Sequence, residues 1–242
     1  MKRTQAGAAI VASGVAILLL LVSGLVGVAV HHGDRKGTTQ VSGVGKTTTT
    51  VAGTTTTVPA APPPALTPAG FKRVNDAVDR LSLAVPSSWR TPVLTAGQIT
   101  QQLKAYASQN PQLAPLIDAA LTATAKIDLG AFAADPTTRR VLYTYGVASP
   151  AGATIDDIPI PEVVKELTAL GAKNIRTSQV LLPTGKADQV SLQLVVKGVT
   201  VSELVDFFIL GKRVVFMVLA RPGVDADIDL FKQIQQTLKP TG

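Results

Sequence analysis

The sequence predicts an α+β domain, with an antiparallel β-sheet between helices on both faces, behind one membrane helix and a linker. Two patterns predict the domain: runs of adjacent strand-like segments after residue 71, and helix-like segments before, between and after them. A third pattern, an uncharged segment of 25 residues near the N-terminus, predicts the membrane helix. The predicted parts are a cytoplasmic N-terminus (1–5), a transmembrane signal anchor (6–30), a disordered linker (31–70) and an extracytoplasmic domain (71–242).

The apolar segment Ala6–Val30 would form a helix roughly 37 Å long, enough to cross a hydrocarbon core of about 30 Å. Lys2 and Arg3 precede it, as in a signal peptide or a signal anchor. Its length favours an uncleaved anchor, with cleavage as the alternative. Flanking charges nearly balance, so the outward orientation of the domain depends on the linker, whose Thr/Pro-rich composition is typical of outer-surface proteins.

The linker contains the threonine repeats TTTTVAG and TTTTVPA, followed by several prolines. Such a segment has too little apolar surface to bury and is expected to stay extended, and O-glycosylation of its threonines is a hypothesis from composition. Gly43–Thr47 resembles the end of a phosphate-binding loop. That loop requires a glycine where Gln40 stands, so no nucleotide site is expected.

Charge and cysteine content exclude several classes of function. Residues 1–70 hold five basic side chains and one acidic, whereas residues 71–242 hold 18 basic and 15 acidic. The nearly balanced domain lacks the clustered basic footprint that nucleic acid requires. There is no cysteine, which excludes disulfides, thiol catalysis and cysteine-based zinc sites.

The first part of the domain predicts one strand and two helices. Leu81–Val85 alternates as a strand with one buried face, and Pro86 ends it before a turn that carries Trp89. Thr95 and Gln98 fit a capping box for the first helix. Asn110 would cap the second helix, with Pro111 at its first position.

The second part predicts further strands, a short helix and a last helix. The hairpin turn Gly211-Lys212 joins the last two strands, and the last helix is expected to bury Ile228, Phe231, Ile234 and Leu238. The predicted elements in chain order are strands Ile127–Ala133 and Arg139–Val147, a helix from Pro161 to Gly171, strand Asn174–Leu182, an alternating strand around Val190–Val196, strands Val201–Leu210 and Arg213–Ala220, and the helix Asp225–Leu238.

Four stretches together resemble the Mog1/PsbP-like fold, in the version carried by actinobacterial envelope proteins of the LpqN/LpqT type. They are Leu81–Trp89, Gln109–Pro136, Val180–Leu194 and the terminal helix. The resemblance implies a central antiparallel sheet between helices, displayed outside the cytoplasmic membrane as a binding or assembly module without shared catalytic residues. The mycobacterial relatives carry a lipobox cysteine, which this chain lacks, so the helix at 6–30 would replace that lipid anchor.

Aromatic side chains supply the candidate ligand-binding residues: Trp89, Tyr106, Tyr143 and Tyr145. Tyr143 and Tyr145 share one strand face, whereas Phe207 and Phe208 point to opposite faces. Core packing is the expected role of most of these residues. A groove between the sheet and the helices near them is where a ligand is expected.

Catalytic and metal motifs are incomplete. The only histidines, His31 and His32, adjoin the membrane segment, so no Ser–His–Asp triad is expected in the domain. Asp225, Asp227 and Asp229 alternate as in a calcium loop, but the loop's glycine and final glutamate are missing. Asp156 and Asp157 would act as an acid–base pair or cap the loop before Pro161. No metal or cofactor is expected.

The leading functional hypothesis is a non-enzymatic, membrane-tethered domain that binds a protein or another envelope component. A second hypothesis, a carrier or sensor of small amphiphilic or lipid ligands, predicts an enclosed apolar pocket. A third, a hydrolase of cell-wall polymers, requires two carboxylates that face one cleft.

Overall fold

The computed structural model describes residues 66–124 and 129–241. The predicted cytoplasmic N-terminus, signal anchor and nearly all of the linker lie outside these residues, as do His31, His32 and the segment Gly43–Thr47. Within the two described ranges, no helix has the length and apolar character needed to cross a membrane.

The described residues form two antiparallel sheets and four α-helices, which confirms the predicted α+β class. The strands are β1 Phe71–Asp76, β2 Leu81–Pro86, β3 Leu129–Asp135, β4 Arg140–Ala148, β5 Lys173–Leu182, β6 Gly185–Val196, β7 Val199–Leu210, β8 Arg213–Pro222 and β9 Lys239–Pro240. The helices are α1 Ile99–Gln109, α2 Ala114–Ala123, α3 Ile160–Ala169 and α4 Ile228–Gln235.

The larger sheet has six strands in the order β3-β4-β8-β7-β6-β5. Strands β5 to β8 follow one another through hairpins, because each connection is short and each neighbouring pair is antiparallel. Gly211 begins the turn between β7 and β8 with a φ of 62°, the left-handed conformation that favours glycine and that the sequence predicted here.

The six-stranded sheet separates two apolar clusters. Residues of α1, α2 and α3 pack on one face, together with Tyr143, Tyr145 and Phe207. Residues of β2 and α4 pack on the other face, together with Phe208 and Met217. Phe207 and Phe208 therefore lie on opposite sides of β7, as predicted from the two-residue period of a strand.

A second sheet, in the order β1-β2-β9, was not predicted. Strand β2 was expected to have one buried face, but Ser82 and Ala84 are buried as well as the leucines. Neighbouring strands and polar contacts cover the second face. The Arg73 guanidinium donates to the Ser82 hydroxyl at 3.4 Å and to the Thr237 carbonyl at 2.6 Å.

Three details of the predicted helix starts are wrong. The Asn110 side chain does not cap the second helix, and a single 3-10 turn, Pro111–Leu113, precedes α2. Helix α1 begins at Ile99 without a side-chain cap, and Thr95 exchanges hydrogen bonds with Gln102 instead of Gln98. Residues 95–98 form a turn before the helix. The side chain that bonds with Thr95 therefore comes from Gln102, one helical turn after Gln98. Ile228, expected to be buried, is 48% exposed, because α4 begins there and Phe231 and Ile234 form its buried side.

Candidate binding site at the open edge of the sheet

The two edge strands of the six-stranded sheet differ in what covers them. At the β3 edge, Arg90 and Ala134 exchange backbone hydrogen bonds of 2.7 and 2.8 Å, which pairs part of the strand. Strand β5 pairs with β6 alone, and no backbone hydrogen bond reaches its other side from any residue in 66–124 or 129–241. We call these the closed edge and the open edge.

The open edge is regular over most of its length. A register shift between Lys173 and Arg176, with Asn174 at a φ of 53°, interrupts the pairing at the start of β5. From Arg176 to Leu182 the pairing with β6 is continuous. In an antiparallel strand alternate residues turn their N–H and C=O groups away from the neighbour, so this stretch presents unpaired donors and acceptors to its outer side.

An open groove of about 300 Å³ lies beside β5. Three isoleucines, Ile155, Ile158 and Ile160, line one side and come from the segment that leads into α3. The polar lining includes Thr177 and Gln179 of β5. We call this cavity the edge groove.

Two carboxylates, those of Asp156 and Asp188, also line the edge groove. Asp156 and Asp157 are adjacent in the segment between β4 and α3, but only Asp156 lines the edge groove. The Asp157 carboxylate accepts hydrogen bonds from the Thr154 amide at 2.8 Å and from the Thr154 hydroxyl at 2.9 Å, which forms a capping box. Ile155 and Ile158 are buried in the core. Asp157 is therefore a cap, as one of the two predicted roles had it, while Asp156 remains at the groove.

Asp188 projects from β6 into the same groove and is only 6% exposed. Burial raises the pKa of the Asp188 carboxyl, a hydrogen bond from Gln179 lowers it in part, and the nearby charge of Asp156 raises it further. None of the ion pairs among the described residues involves Asp156 or Asp188. The groove is therefore electrostatically suited to a cation supplied from outside the domain.

The sequence contains a signal for Asp188 in the alternation of β6, which none of the predicted site residues used. Asp188 lies on the same strand face as the buried Val190 and Leu192, so it continues an apolar alternation with an acid. An acidic side chain at a position that the strand period assigns to the core is unusual and indicates a functional or specifically solvated position.

The predicted aromatic residues lie on both sides of the sheet. Tyr143 and Tyr145 are buried and stacked with ring centroids 6.1 Å apart, and Tyr106 meets Phe132 edge to face at 6.2 Å. Burial raises the pKa of all three tyrosine hydroxyls, so they remain protonated near neutral pH. Trp89 is buried in the cluster on the opposite face.

These four side chains do not line a common groove. Tyr145 alone is linked to the edge groove, by a row of aromatic contacts along one face of the sheet. Tyr145 stacks on Phe216 at 4.6 Å, and Phe216 meets Phe207 at 5.1 Å. Phe207 is paired in register with Asp188. An aromatic row thus crosses the helix-covered face and ends at the groove, while the ligand-binding role of Trp89, Tyr106, Tyr143 and Tyr145 stays a prediction.

The closed edge contains a different pair of carboxylates. Asp76 accepts hydrogen bonds from the Asp79 amide at 2.8 Å and from the Thr144 hydroxyl at 2.6 Å. Asp79 pairs with Arg213, which also donates to the Gly146 carbonyl at 2.5 Å. Burial and the charge of Asp76 raise the pKa of Asp79 to about 6, although Arg213 acts in the opposite direction.

Two glycines make room for these carboxylates. A Cβ atom on Gly130 would lie 2.0 Å from an oxygen of Asp76, and one on Gly146 would lie 2.1 Å from an oxygen of Asp79. Both distances are far below van der Waals contact. The β1–β2 turn therefore packs against β3 and β4 only because these positions have no side chain.

Asp227, one of the aspartates considered for a calcium site, forms ion pairs with two arginines. Burial alone would raise the pKa of Asp227, but Arg140 and Arg221 outweigh it and lower the pKa. This ion-pair role accounts for Asp227, the middle one of the three aspartates that alternate like a calcium loop. In the described part of the chain no group of three or more acidic or histidine side chains is placed to hold a metal ion.

The fold resembles those of a cyanobacterial PsbP and a mycobacterial LpqN. The solution structure of PsbP from Synechocystis sp. PCC 6803 is 11% identical with a TM-score of 0.42, and the match covers 73% of this chain and 95% of that one. The crystal structure of LpqN from Mycobacterium tuberculosis, described as involved in cell envelope biogenesis, is 14% identical with a TM-score of 0.36 and coverages of 71% and 92%.

A crystal structure from Bacteroides thetaiotaomicron is also similar, at 12% identity and a TM-score of 0.41. That match covers 67% of this chain and 46% of the other. PsbP and LpqN are the two kinds of protein that the sequence resemblance named, so the comparison agrees with it. No family model and no curated protein sequence matches the chain.

Proposed function

We propose that residues 71–242 form a non-enzymatic, membrane-tethered binding domain of the cell envelope whose partner engages the open edge of the sheet. The single observation that carries this proposal is the outer side of β5, which no residue of 66–124 or 129–241 pairs, next to a groove with two carboxylates. Exposed sheet edges are costly to leave unprotected, and β5 is both long and regular. A strand of this kind is suited to pairing with another chain.

The location of the domain is part of the same proposal. The uncharged segment Ala6–Val30 and the Thr/Pro-rich linker support an extracytoplasmic domain on a long tether. Protease shaving of intact cells after removal of the wall tests this orientation. A domain that stays protected under those conditions would place it on the cytoplasmic side and refute the location.

Site-specific photo-crosslinking of the full chain in its own cells tests the binding site. A photo-reactive amino acid replaces Ser178 in the middle of β5, and a matched variant carries it at Asp225, an exposed position between β8 and α4. We expect a discrete crosslinked protein from position 178 and none from position 225. Equal crosslinking at both positions, or none at 178, would contradict a binding site at the open edge.

A second candidate function, hydrolysis of a wall polymer, is favoured by one observation. Asp156 and Asp188 face the same groove, which is the arrangement that the hydrolase hypothesis requires. Assay of the full chain on purified wall polymer, with Asp188→Asn as the matched variant, separates the candidates. Turnover that the variant abolishes would replace the binding proposal with an enzymatic one.

The edge groove does not support the hypothesis that the domain carries a small amphiphilic or lipid ligand. An apolar ligand needs an enclosed pocket, whereas the edge groove is open to solvent and has two carboxylates in its lining. The two clusters on either side of the sheet are formed by residues that are almost fully buried.

A further inference from the structure

We propose that the occupant of the edge groove is an extended peptide segment of a partner protein, which adds to β5 as a further strand and places a lysine or arginine side chain beside Asp156 and Asp188. This inference rests on the proposed function, because it names the kind of partner that the same site takes. Three features of the site support it: the unpaired backbone, the position of the groove and the uncompensated charge.

The backbone of β5 provides the first part of the recognition. From Arg176 to Leu182 the strand is in continuous register with β6, so its outward N–H and C=O groups are regularly spaced. An added strand can satisfy these groups with its own main chain, whatever its sequence. The exposed side chain of Leu181 extends the surface available to such a strand on the same face as Thr177 and Gln179.

The edge groove provides the second part, because it lies immediately beside the edge. Alternate side chains of an added strand would stand on the groove's side of the sheet, about 7 Å apart along the strand. Ile155, Ile158 and Ile160 offer contact to apolar side chains at such positions. The peptide expected here therefore has apolar residues on either side of a cationic one, at two-residue spacing.

Charge determines the cationic position. Asp188 is nearly fully buried, Asp156 lies close enough to affect its ionisation, and neither forms an ion pair with a described residue. A cation between them relieves the repulsion of two like charges and gains from the low local dielectric. Lysine and arginine have long apolar stems that also fit beside the isoleucines.

A second copy of this chain fits the site less well than a foreign peptide. If β5 paired with β5 of another copy, the side chains beside the groove would come from the face that holds Thr177 and Gln179. Both are uncharged, so they leave the two aspartates without a cation. Arg176 lies on the opposite face of the strand.

Binding of synthetic peptides to the full chain, purified in a mild detergent, tests the proposal. The probe is the capped heptapeptide TVTKTVT, which places valine, lysine and valine on one face of a strand. Three controls are TVTETVT, a TVTKTVT peptide N-methylated at alternate residues, and a scrambled peptide that loses the alternation. Chemical-shift titration of labelled amides gives the dissociation constants, and amide exchange reports whether β5 becomes protected.

We expect the lysine peptide to bind at least about tenfold more tightly than the glutamate peptide, with new protection in β5. N-methylation at the hydrogen-bonding positions should cost at least about tenfold, because it removes the donors of the added strand. The double variant Asp156→Asn, Asp188→Asn should bring the two peptides to within about twofold of each other. The variant Asp225→Asn, Asp229→Asn, which removes the same charge from exposed positions, should keep the preference.

Several outcomes would overturn the inference. These are equal binding of the lysine and glutamate peptides, full binding of the N-methylated peptide, or a β5-mediated dimer in analytical ultracentrifugation without peptide. Crosslinking at position 178 in cells distinguishes failure of the peptide inference from failure of the proposed binding function. If crosslinks form there but no peptide adds to β5, the peptide inference fails and the proposed binding function stands. If crosslinks are absent, the proposed function itself fails.

Discussion

The closed and open edges of the six-stranded sheet differ in the pairing of their outer backbone and in the partners of their buried carboxylates. At the closed edge, the Arg90–Ala134 bridge pairs part of β3, and the β1–β2 turn places Asp76 and Asp79 over glycines. At the open edge, the outer side of β5 has no partner in the described residues, and Asp188 has an amide partner but no cation.

Under the proposed function, the closed end of the sheet contributes to stability and the open end to binding. Each carboxylate at the closed edge has specific donors or a guanidinium, so changes there should be costly to the fold. At the open edge Asp188 accepts a hydrogen bond from Gln179, but neither Asp156 nor Asp188 pairs with a cation of the described residues, and a ligand could supply one. Stability and binding should therefore respond to mutations at opposite ends of the sheet.

The largest effect is expected from Gly146→Ala at the closed edge. The new methyl group would meet the Asp79 carboxylate at 2.1 Å and force it away from Arg213. Breaking a buried ion pair in this way should cost about 3 kcal/mol or more of unfolding free energy. Urea unfolding of the full chain, followed through the fluorescence of the single, buried Trp89, measures the loss.

Gly198→Ala, between β6 and β7, is the matched control. Its Cβ would meet nothing within 4 Å, but its φ of 81° is unfavourable for alanine. The strain should cost about 1 kcal/mol. A Gly146→Ala loss no larger than the Gly198→Ala loss would show that the closed edge tolerates displacement of Asp79.

A second large effect concerns Glu203 on β7, which is paired with β6 and β8 through its backbone. Its buried carboxyl forms no hydrogen bond or ion pair with any described residue. Burial raises the pKa of its carboxyl from 4.5 to about 7. The folded protein therefore binds a proton that the unfolded chain has lost, and stability falls as pH rises from 4.5 through 7. The full cost of ionisation above pH 7 is about 3 kcal/mol.

Glu203→Gln should remove this cost. Its unfolding free energy should equal that of the parent near pH 4 and exceed it by about 3 kcal/mol near pH 9. Glu162→Gln, at an exposed position in α3, controls for the change in net charge. A constant difference between Glu203→Gln and the parent across this pH range would disprove the buried, uncompensated carboxyl.

The sequence predicted the elements whose signals are local. Alternation within β5 to β8 and the glycine of the β7–β8 turn are readable from adjacent residues, and the structure has strands and a turn at these places. Strands β1 and β9 were missed because β1 has no clean alternation and β9 has two residues. Their pairing with β2 depends on contacts between distant parts of the chain.

The candidate site was only partly predictable for the same reason. The sequence presents Asp156 as part of an acidic pair with Asp157, but in the structure its neighbour across the edge groove is Asp188 of β6. No spacing in the sequence relates the two, because the path of the chain through α3 and β5 brings them together. The aromatic candidates were chosen by residue type, which does not distinguish a row buried in the core from the lining of a groove.

The smallest expected effect compares one threonine at each edge. Thr144→Val would remove the donor to Asp76 and the acceptor of the Ala131 amide, a bond of 2.8 Å, and leave buried groups unpaired at a cost of about 2 kcal/mol. Thr177→Val, on exposed β5, should change the unfolding free energy by less than about 0.5 kcal/mol. Urea unfolding of both variants gives the difference directly. If Thr177→Val costs as much as Thr144→Val, β5 is not an unpartnered edge, and the assignment of binding to that end of the sheet fails with it.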